Sequence, residues 1–260
     1  MLTAVVSRPV RPQRSRIEIG CSLARNIFSI SSSEVATLWS LPPPPGFEGL
    51  REDQPLTFYE RHLPHWRQDG ATYFVTFRLA DSLPHSKLDE LARIKFEWER
   101  THPPPRSKVA LEEWARMSFE RVEFWLDQGF GDCILRNEQH ASKIIEALHY
   151  FDDSRYELDG YVVMPNHVHV VLRPFKPAVN SLEKILGSWK SYSSRHINTV
   201  LDQQGSVWQD ESHDRIIRDE EHLWRALRYL GRNLERSGFP RDSQRAWIRP
   251  EWESLGWTLQ

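Results

Sequence analysis

The chain of 260 residues is poor in cysteine, with Cys21 and Cys133 its only two. They lie far apart and neither belongs to a CxxC-type pattern, so neither a disulfide framework nor a zinc knuckle is expected, and a reducing cytoplasm fits. Long apolar runs are missing too. No stretch approaches the roughly eighteen residues of a membrane span, and the N-terminus lacks a continuous hydrophobic segment of signal-peptide type. Nor does one sign of charge dominate: 34 basic side chains stand against 36 acidic ones, a formal net charge of −2. This excludes a uniformly basic coat, so any nucleic-acid binding has to use a local patch.

What is present supports a globular core, with 39% hydrophobic residues and eleven tryptophans. Tryptophan together with numerous arginines suits stacking and phosphate contact, and equally ordinary packing. The start mixes Arg, Ser and Pro (SRPVRPQRSR, SISSSE, LPPPPG) without sustained periodicity. Residues 1–55 are therefore expected to form a disordered or weakly ordered leader. The main domain is expected over 56–240, and residues 241–260 form a tail rich in Trp and Arg.

ATYFVTFRLAD (71–81) reads as the first strand, bounded by Gly70 and Pro84. Leu88, Leu91, Ile94, Phe96 and Trp98 approximate a helical face, and a second helix follows through Leu111, Trp114, Phe119 and Phe124. Asn137 caps a helix with Ala141, Ile144, Ile145 and Leu148 on its buried side. Asn180, with Glu183 at the capping-box position, opens another carrying Leu182, Ile185, Leu186, Trp189 and Ile197. Asp219 caps a last long helix that Gly238 and Pro240 end.

The organising stretch is YVVMPNHVHVVLRP (161–174). Its β-branched density predicts a central strand buried on both faces, kinked at Met164-Pro165. Side chains alternate along a strand, so His167 and His169 leave the same face close enough to share one ion, while Val168 and Val170 fill the other. A lone buried histidine is usually a hydrogen-bonded core residue. Two on one apolar face would place like charges side by side if both were protonated, and a shared cation removes that problem.

On the last helix Leu223, Leu227, Leu230 and Leu234 form the core stripe, leaving Tyr229 and Asn233 one turn apart on a neighbouring face. A tyrosine hydroxyl, with a reference pKa of about 10, needs a cation or base nearby to act as a nucleophile. The histidine pair can hold that cation. With the Asn233 amide oxygen added, the donors suit Mg²⁺ or Mn²⁺. Arg225, Arg228, Arg232 and Arg236, helped by Lys184, Lys190 and Arg195, form a candidate phosphate-binding surface; a solvated helix face is the plain alternative.

The opening strand TYFVTFR (72–78), MPNHVHVVL (164–172), VWQDESHDRIIRDEEHL (207–223) and RYLGRNLERSGF (228–239) together resemble the REP-associated tyrosine transposases, a branch of the HUH single-strand DNA transposases. The resemblance implies an α+β fold of ferredoxin-like type, a small antiparallel sheet with helices on one side. It implies His167 and His169 as ligands of a divalent metal, Asn233 as the polar residue completing the site, and Tyr229 as nucleophile. It also implies a homodimer. The chain departs from the family in having Leu234 where Pro often follows the motif's Asn, and in a long insert between strand one and residue 129.

The expected function is a metal-dependent, single-stranded DNA endonuclease and strand transferase, a transposase acting on hairpin-bearing repeats through a 5′-phosphotyrosine intermediate. One alternative is a domesticated hairpin-binding protein without cleavage. Another is a metal phosphoesterase that uses the histidines without a covalent step. Tyr192, in WKSYSSRHIN, is the rival tyrosine, expected to be structural or to contact DNA. A cytoplasmic, nucleoid-associated protein with no membrane partner is the expected setting.

Overall fold

The structure is a computed structural model and describes residues 41–260. The first forty residues, most of the expected leader and Cys21 among them, lie outside the described residues. In chain order the elements are β1 (Thr57–Glu60), β2 (Pro64–Arg67), β3 (Tyr73–Arg78), α1 (His85–Thr101), α2 (Lys108–Leu126), a 3-10 turn (Ile134–Arg136), α3 (Glu138–Tyr150), β4 (Tyr156–Val163), β5 (His167–Pro174), α4 (Leu182–Leu201), β6 (His213–Ile216), α5 (Glu220–Ser237), β7 (Ala246–Ile248) and α6 (Pro250–Glu253). β1 and β2 make a separate hairpin. The other five strands form one antiparallel sheet in the order β6-β3-β5-β4-β7. The fold is α+β, an antiparallel sheet with helices packed on it, and β5 is its central strand.

The stretch 161–174 is two strands rather than one kinked strand. Proline has no N–H to give to a ladder, and Pro165 with Asn166 forms the tight connection of a β4–β5 hairpin, closed by the Met164 N–H donating to the His167 carbonyl at 2.9 Å. Both arms read as one apolar run because both lie in the middle of a sheet covered on its two faces.

That double cover corrects the expectation of helices on one side. Val75, Phe77, Val168, Val170 and Leu172 face α3 and α4, which bring Ile144, Leu148, Ile185 and Trp189. Phe74, Val162 and Val171 face α5, which brings Leu223, Leu227, Leu230 and Leu234, with Trp252 and Trp257 beyond. Each fully buried Leu contributes about 1.5–3 kcal/mol, so the four-leucine stripe is enough to fix α5 against the sheet.

The ends of the chain are part of this second layer. Expected as leader, the segment from Leu41 onward packs against the tail. The indole N–H groups of Trp252 and Trp257 donate to the carbonyls of Pro45 and Pro42 at 2.7 and 2.9 Å. A proline run has no N–H of its own to satisfy but keeps its acceptors, which suits it to cover indoles. The tail supplies β7, paired with β4.

Local signals fared unevenly. Asn137 and Asp219 cap α3 and α5, and Gly238 ends α5 at φ 73°. The cap of α4 is Ser181, one residue after the expected Asn180: its hydroxyl accepts from the Lys184 N–H, and Glu183 pairs with Arg67 at 2.7 Å. Phe96 and Phe124 are 64% and 62% exposed, while Trp98 of α1 and Trp114, Phe119 and Trp125 of α2 are buried. Among the described residues no helix is long and apolar enough to cross a membrane.

Candidate metal and nucleophile centre

β5 places His167 and His169 on the face turned toward α5, opposite Val168 and Val170. Their neighbours fix both rings. Asn166 donates its amide N–H to the Phe130 carbonyl at 3.1 Å, which leaves its Oδ1 facing the His167 Nδ1 at 2.8 Å. An acceptor there requires a proton on Nδ1, so the His167 Nε2 presents a bare lone pair. His169 Nδ1 lies 2.8 Å from the Thr76 hydroxyl on β3. The two Nε2 atoms meet at 3.0 Å, a separation that needs a proton or a cation between them.

The third donor is Glu123 on α2. Its carboxylate is 3.3 Å from the His169 Nε2, and ligand atoms of Glu123, His167 and His169 all lie within 4.8 Å of one another. Glu123 Oε1 and Asn233 Oδ1 are buried without a hydrogen-bond partner. A divalent cation fits this set: two imidazole nitrogens on one face, one carboxylate and an unsatisfied amide oxygen nearby, with Asn166 and Thr76 behind the rings as the outer partners such sites use. Two imidazoles with a carboxylate suit Mn²⁺ better than Mg²⁺, which prefers oxygen donors alone.

Tyr229 joins the cluster from α5. Its hydroxyl donates to Glu123 Oε2, and its ring lies edge-on to His169 with centroids 5.2 Å apart. Phe74 stacks on His169 at 5.4 Å and packs edge-on against Tyr229 at 6.0 Å, walling the group. One turn along α5, Asn233 donates its side-chain N–H to the Tyr229 carbonyl at 2.9 Å. Glu123, His167, His169, Tyr229 and Asn233 are each 2% exposed or less.

Burial this complete moves the proton equilibria. It pushes the Tyr229 phenol well above its ordinary value, and the adjacent Glu123 charge pushes the same way. For Glu123 burial alone would raise the carboxyl, but His169, His167 and the Tyr229 hydroxyl outweigh it and hold the group down at about 2. Burial and the neighbouring His169 bring His167 down to about 3. The resting centre is thus an ionised carboxylate, a neutral His167 and a protonated phenol. Positive charge brought to the carboxylate weakens its hold on the phenol proton.

The expected basic surface does not form one face. Lys184, Lys190 and Arg195 sit on α4, across the sheet from the histidines. Lys190 donates to the carbonyls of Gln209 and Asp210 at 2.8 and 2.9 Å, and burial lowers it to about 8; Lys184 donates to the Val179 carbonyl. On α5, Arg225 pairs with Glu221, Arg228 lies 5.2 Å over the Trp224 ring, Arg232 is half-buried, and Arg236 bonds Asp127 at 3.1 Å. Tyr192 donates to Glu146 at 2.5 Å, on the α4 side of the sheet and remote from the metal cluster.

Sequence reasoning missed Glu123. A signal was there: Trp114, Ser118, Phe119 and Glu123 are spaced by four, one and four residues and fall on one buried stripe of α2. A carboxylate in line with buried aromatics calls for a partner.

Comparison with known protein families gives no match, and none of the curated proteins is similar in sequence to this chain. A solved structure of a REP-associated tyrosine transposase bound to a REP hairpin is similar over 72% of this chain and 80% of that one, at 13% identity and a TM-score of 0.36. A likeness that loose leaves function to the chemistry of the site.

Proposed function

We propose that this protein is a metal-dependent enzyme that nicks and rejoins single-stranded, hairpin-bearing DNA through a covalent link to Tyr229, a transposase-type strand transferase. The observation that carries this is the meeting of the Tyr229 hydroxyl with Glu123, a carboxylate that the two imidazole Nε2 atoms also approach. A phenol on that carboxylate would equally serve as an outer partner in a hydrolase, so Tyr229→Phe is the variant that separates the two.

In the forward step the Tyr229 oxygen attacks the scissile phosphorus, a P–O bond to it forms, and the bond from phosphorus to the 3′ oxygen breaks. The 5′ phosphate stays on Tyr229, and the released 3′ oxygen gains a proton as a hydroxyl. Glu123 accepts the hydrogen bond of the attacking phenol and aims its oxygen; the proton the phenol gives up to solvent is matched by the one the 3′ oxygen gains. Asn166 and Thr76 keep the imidazoles aimed, and Asn233 secures the backbone of the nucleophile's own turn. A divalent ion held by Glu123, His167 and His169 would supply positive charge to the phosphodiester and to the developing phenolate. In reverse, a 3′-hydroxyl attacks the phosphotyrosine and the phenol leaves, which joins strands without an external energy source.

The test is a covalent trap. A hairpin-bearing oligonucleotide incubated with Mn²⁺ should become linked to the protein. Tyr229→Phe should abolish the adduct and Tyr192→Phe should retain it, with peptide mapping locating the bond. Hairpin binding without any adduct in the unaltered protein would instead favour a binding protein without cleavage. Cleavage retained in Tyr229→Phe would favour a phosphoesterase without a covalent step. We further infer a twofold dimer, because cutting and rejoining require two phosphodiesters at once and each chain offers one such tyrosine.

A further inference from the structure

The reactive groups are sealed, and α2 is what seals them. Glu123 closes over Tyr229 and the histidines, and Phe119, one turn earlier, packs edge-on against Phe74 at 6.2 Å. Phe119 has a second side. There, under the N-terminal half of α2, opens a cleft of about 510 Å³ with Trp66, Phe119 and Ile216 among its apolar lining and Arg215, Arg218 and Arg225 among its charged lining. In all, five basic side chains face three carboxylates in it, so its charge favours an anion.

We propose that this cleft holds one nucleotide of the single strand, next to the bond that Tyr229 cuts, with the base against the part-buried Trp66 and a phosphate between Arg215 and Arg218. The proposal rests on the strand-cutting activity, and it names where the strand lies. Aromatic rings accept the face of any base, and guanidinium groups match phosphate oxygens. The cleft volume lies within the roughly 300–1,000 Å³ common for small-ligand sites. Phe119 is 1% exposed, with Arg215 on its cleft side and Phe74 on the other, so a strand in the cleft lies one aromatic layer from His169 and Tyr229.

Two details of the arginines point the same way. The Arg215 guanidinium lies 4.9 Å from the Phe119 ring centre, which aims it along the cleft floor. Burial, with Arg218 next to it, holds Arg215 down at about 10, and an anion between the two offsets their repulsion. Arg218 is bridged at 3.4 Å to Glu112 of α2, with the arginine exposed and the glutamate half-buried. Surface pairs of this kind contribute little, so a strand phosphate can take the place of Glu112 and loosen α2 from the segment leading into α5. A comparable cleft lined by Tyr150, Tyr192 and Arg195 lies across the sheet, out of reach of Tyr229 for the same nucleotide.

A short single strand carrying 5-iodouracil, irradiated with the full chain, tests the placement. The expected result is crosslinking to the peptide that holds Trp66. Arg218→Glu, a change at an exposed position, should weaken binding of the same strand about tenfold and reduce the salt slope by about 1. Trp66→Ala should lower crosslink yield. Crosslinks confined to Tyr150 or Tyr192, no crosslink at all, or unchanged binding in both variants would overturn the proposal. An adduct at Tyr229 with unchanged binding in both variants sinks the cleft and keeps the cutting. Crosslinks in the cleft, with no adduct under any condition, keep the strand site and sink the cutting.

Discussion

Replacing Glu123 by Gln removes one negative charge from the centre and little else, because the amide oxygen can still accept from Tyr229. Its effect should therefore appear in metal binding. A cation that binds only the folded chain stabilises it by RT ln(1 + [L]/Kd), about 2.7 kcal/mol at a concentration one hundred times Kd. In a chain of this size that is roughly 5–11 °C in Tm. Losing even an outer partner of a metal ligand costs about 10–100-fold in affinity, and Glu123 is a direct donor candidate. A loss of that size, at the same metal concentration, cuts the stabilisation to about 1.4 down to 0.4 kcal/mol. The assay is thermal unfolding of the unaltered chain and of Glu123→Gln, with chelator, with Mn²⁺ and with Mg²⁺. Glu146→Gln, on the other side of the sheet, serves as a control and should keep the full shift. A Tm indifferent to both ions in the unaltered chain, or an equal shift in Glu123→Gln, would show that the cluster is a buried polar network and not a metal site.

Further outcomes follow from other parts of the molecule. Burial alone would lower the pKa of His65, but hydrogen bonds to Asp214 and Glu211 raise it to about 9. Its contribution is therefore fully present below the ordinary 6.5 and lost as pH rises through about 9; Tm should fall across that window, and His65→Gln should flatten the fall. A Cβ on Gly231 would sit 1.6 Å from the Leu259 carbonyl oxygen, so Gly231→Ala should dislodge the C-terminal arm, cost about 1–3 kcal/mol in urea unfolding, and speed proteolysis after residue 240. Mixing His169→Ala with Tyr229→Phe protein should yield no covalent adduct, because both groups of the site come from one chain; recovery of adduct in the mixture would refute that arrangement.

The parts legible in the sequence were those governed by local periodicity. The histidine face of β5 follows from strand alternation. The placement of Tyr229 and Asn233 follows from helical spacing, and the Asp219 and Gly238 ends of α5 from short-range capping chemistry. What failed depended on partners distant in the chain. The β4–β5 hairpin was hidden because helices cover both faces of the sheet and erase the polar alternation that would have marked two strands. Glu123 was hidden because its three partners are Tyr229, His167 and His169, 106, 44 and 46 positions further on, and nothing within its own helix announces them. The proline run at 42–45 looked unstructured for the same reason: its carbonyls are taken by Trp252 and Trp257, which lie at the other end of the chain.

The tail bears directly on how the site is assembled. With the helix that carries Tyr229 resting on a sheet face, two dockings are conceivable in a dimer: on its own histidines or on those of the second copy. Here three contacts hold α5 on its own sheet. β7 adds a strand beside β4, Trp257 packs against Trp224 with ring centres 5.9 Å apart, and the Leu259 backbone presses on Gly231, where any side chain would hold it off. Leu41 and Phe47 pack into the same layer from the opposite terminus. Tyr229 and its histidines are therefore joined within one chain, and the proposed dimer supplies a second complete centre rather than a missing half. Two complete centres can each hold one cut strand, which is what an exchange of ends requires, while each can also nick alone. Nicking should then survive dilution below the point where dimers form, and joining should not.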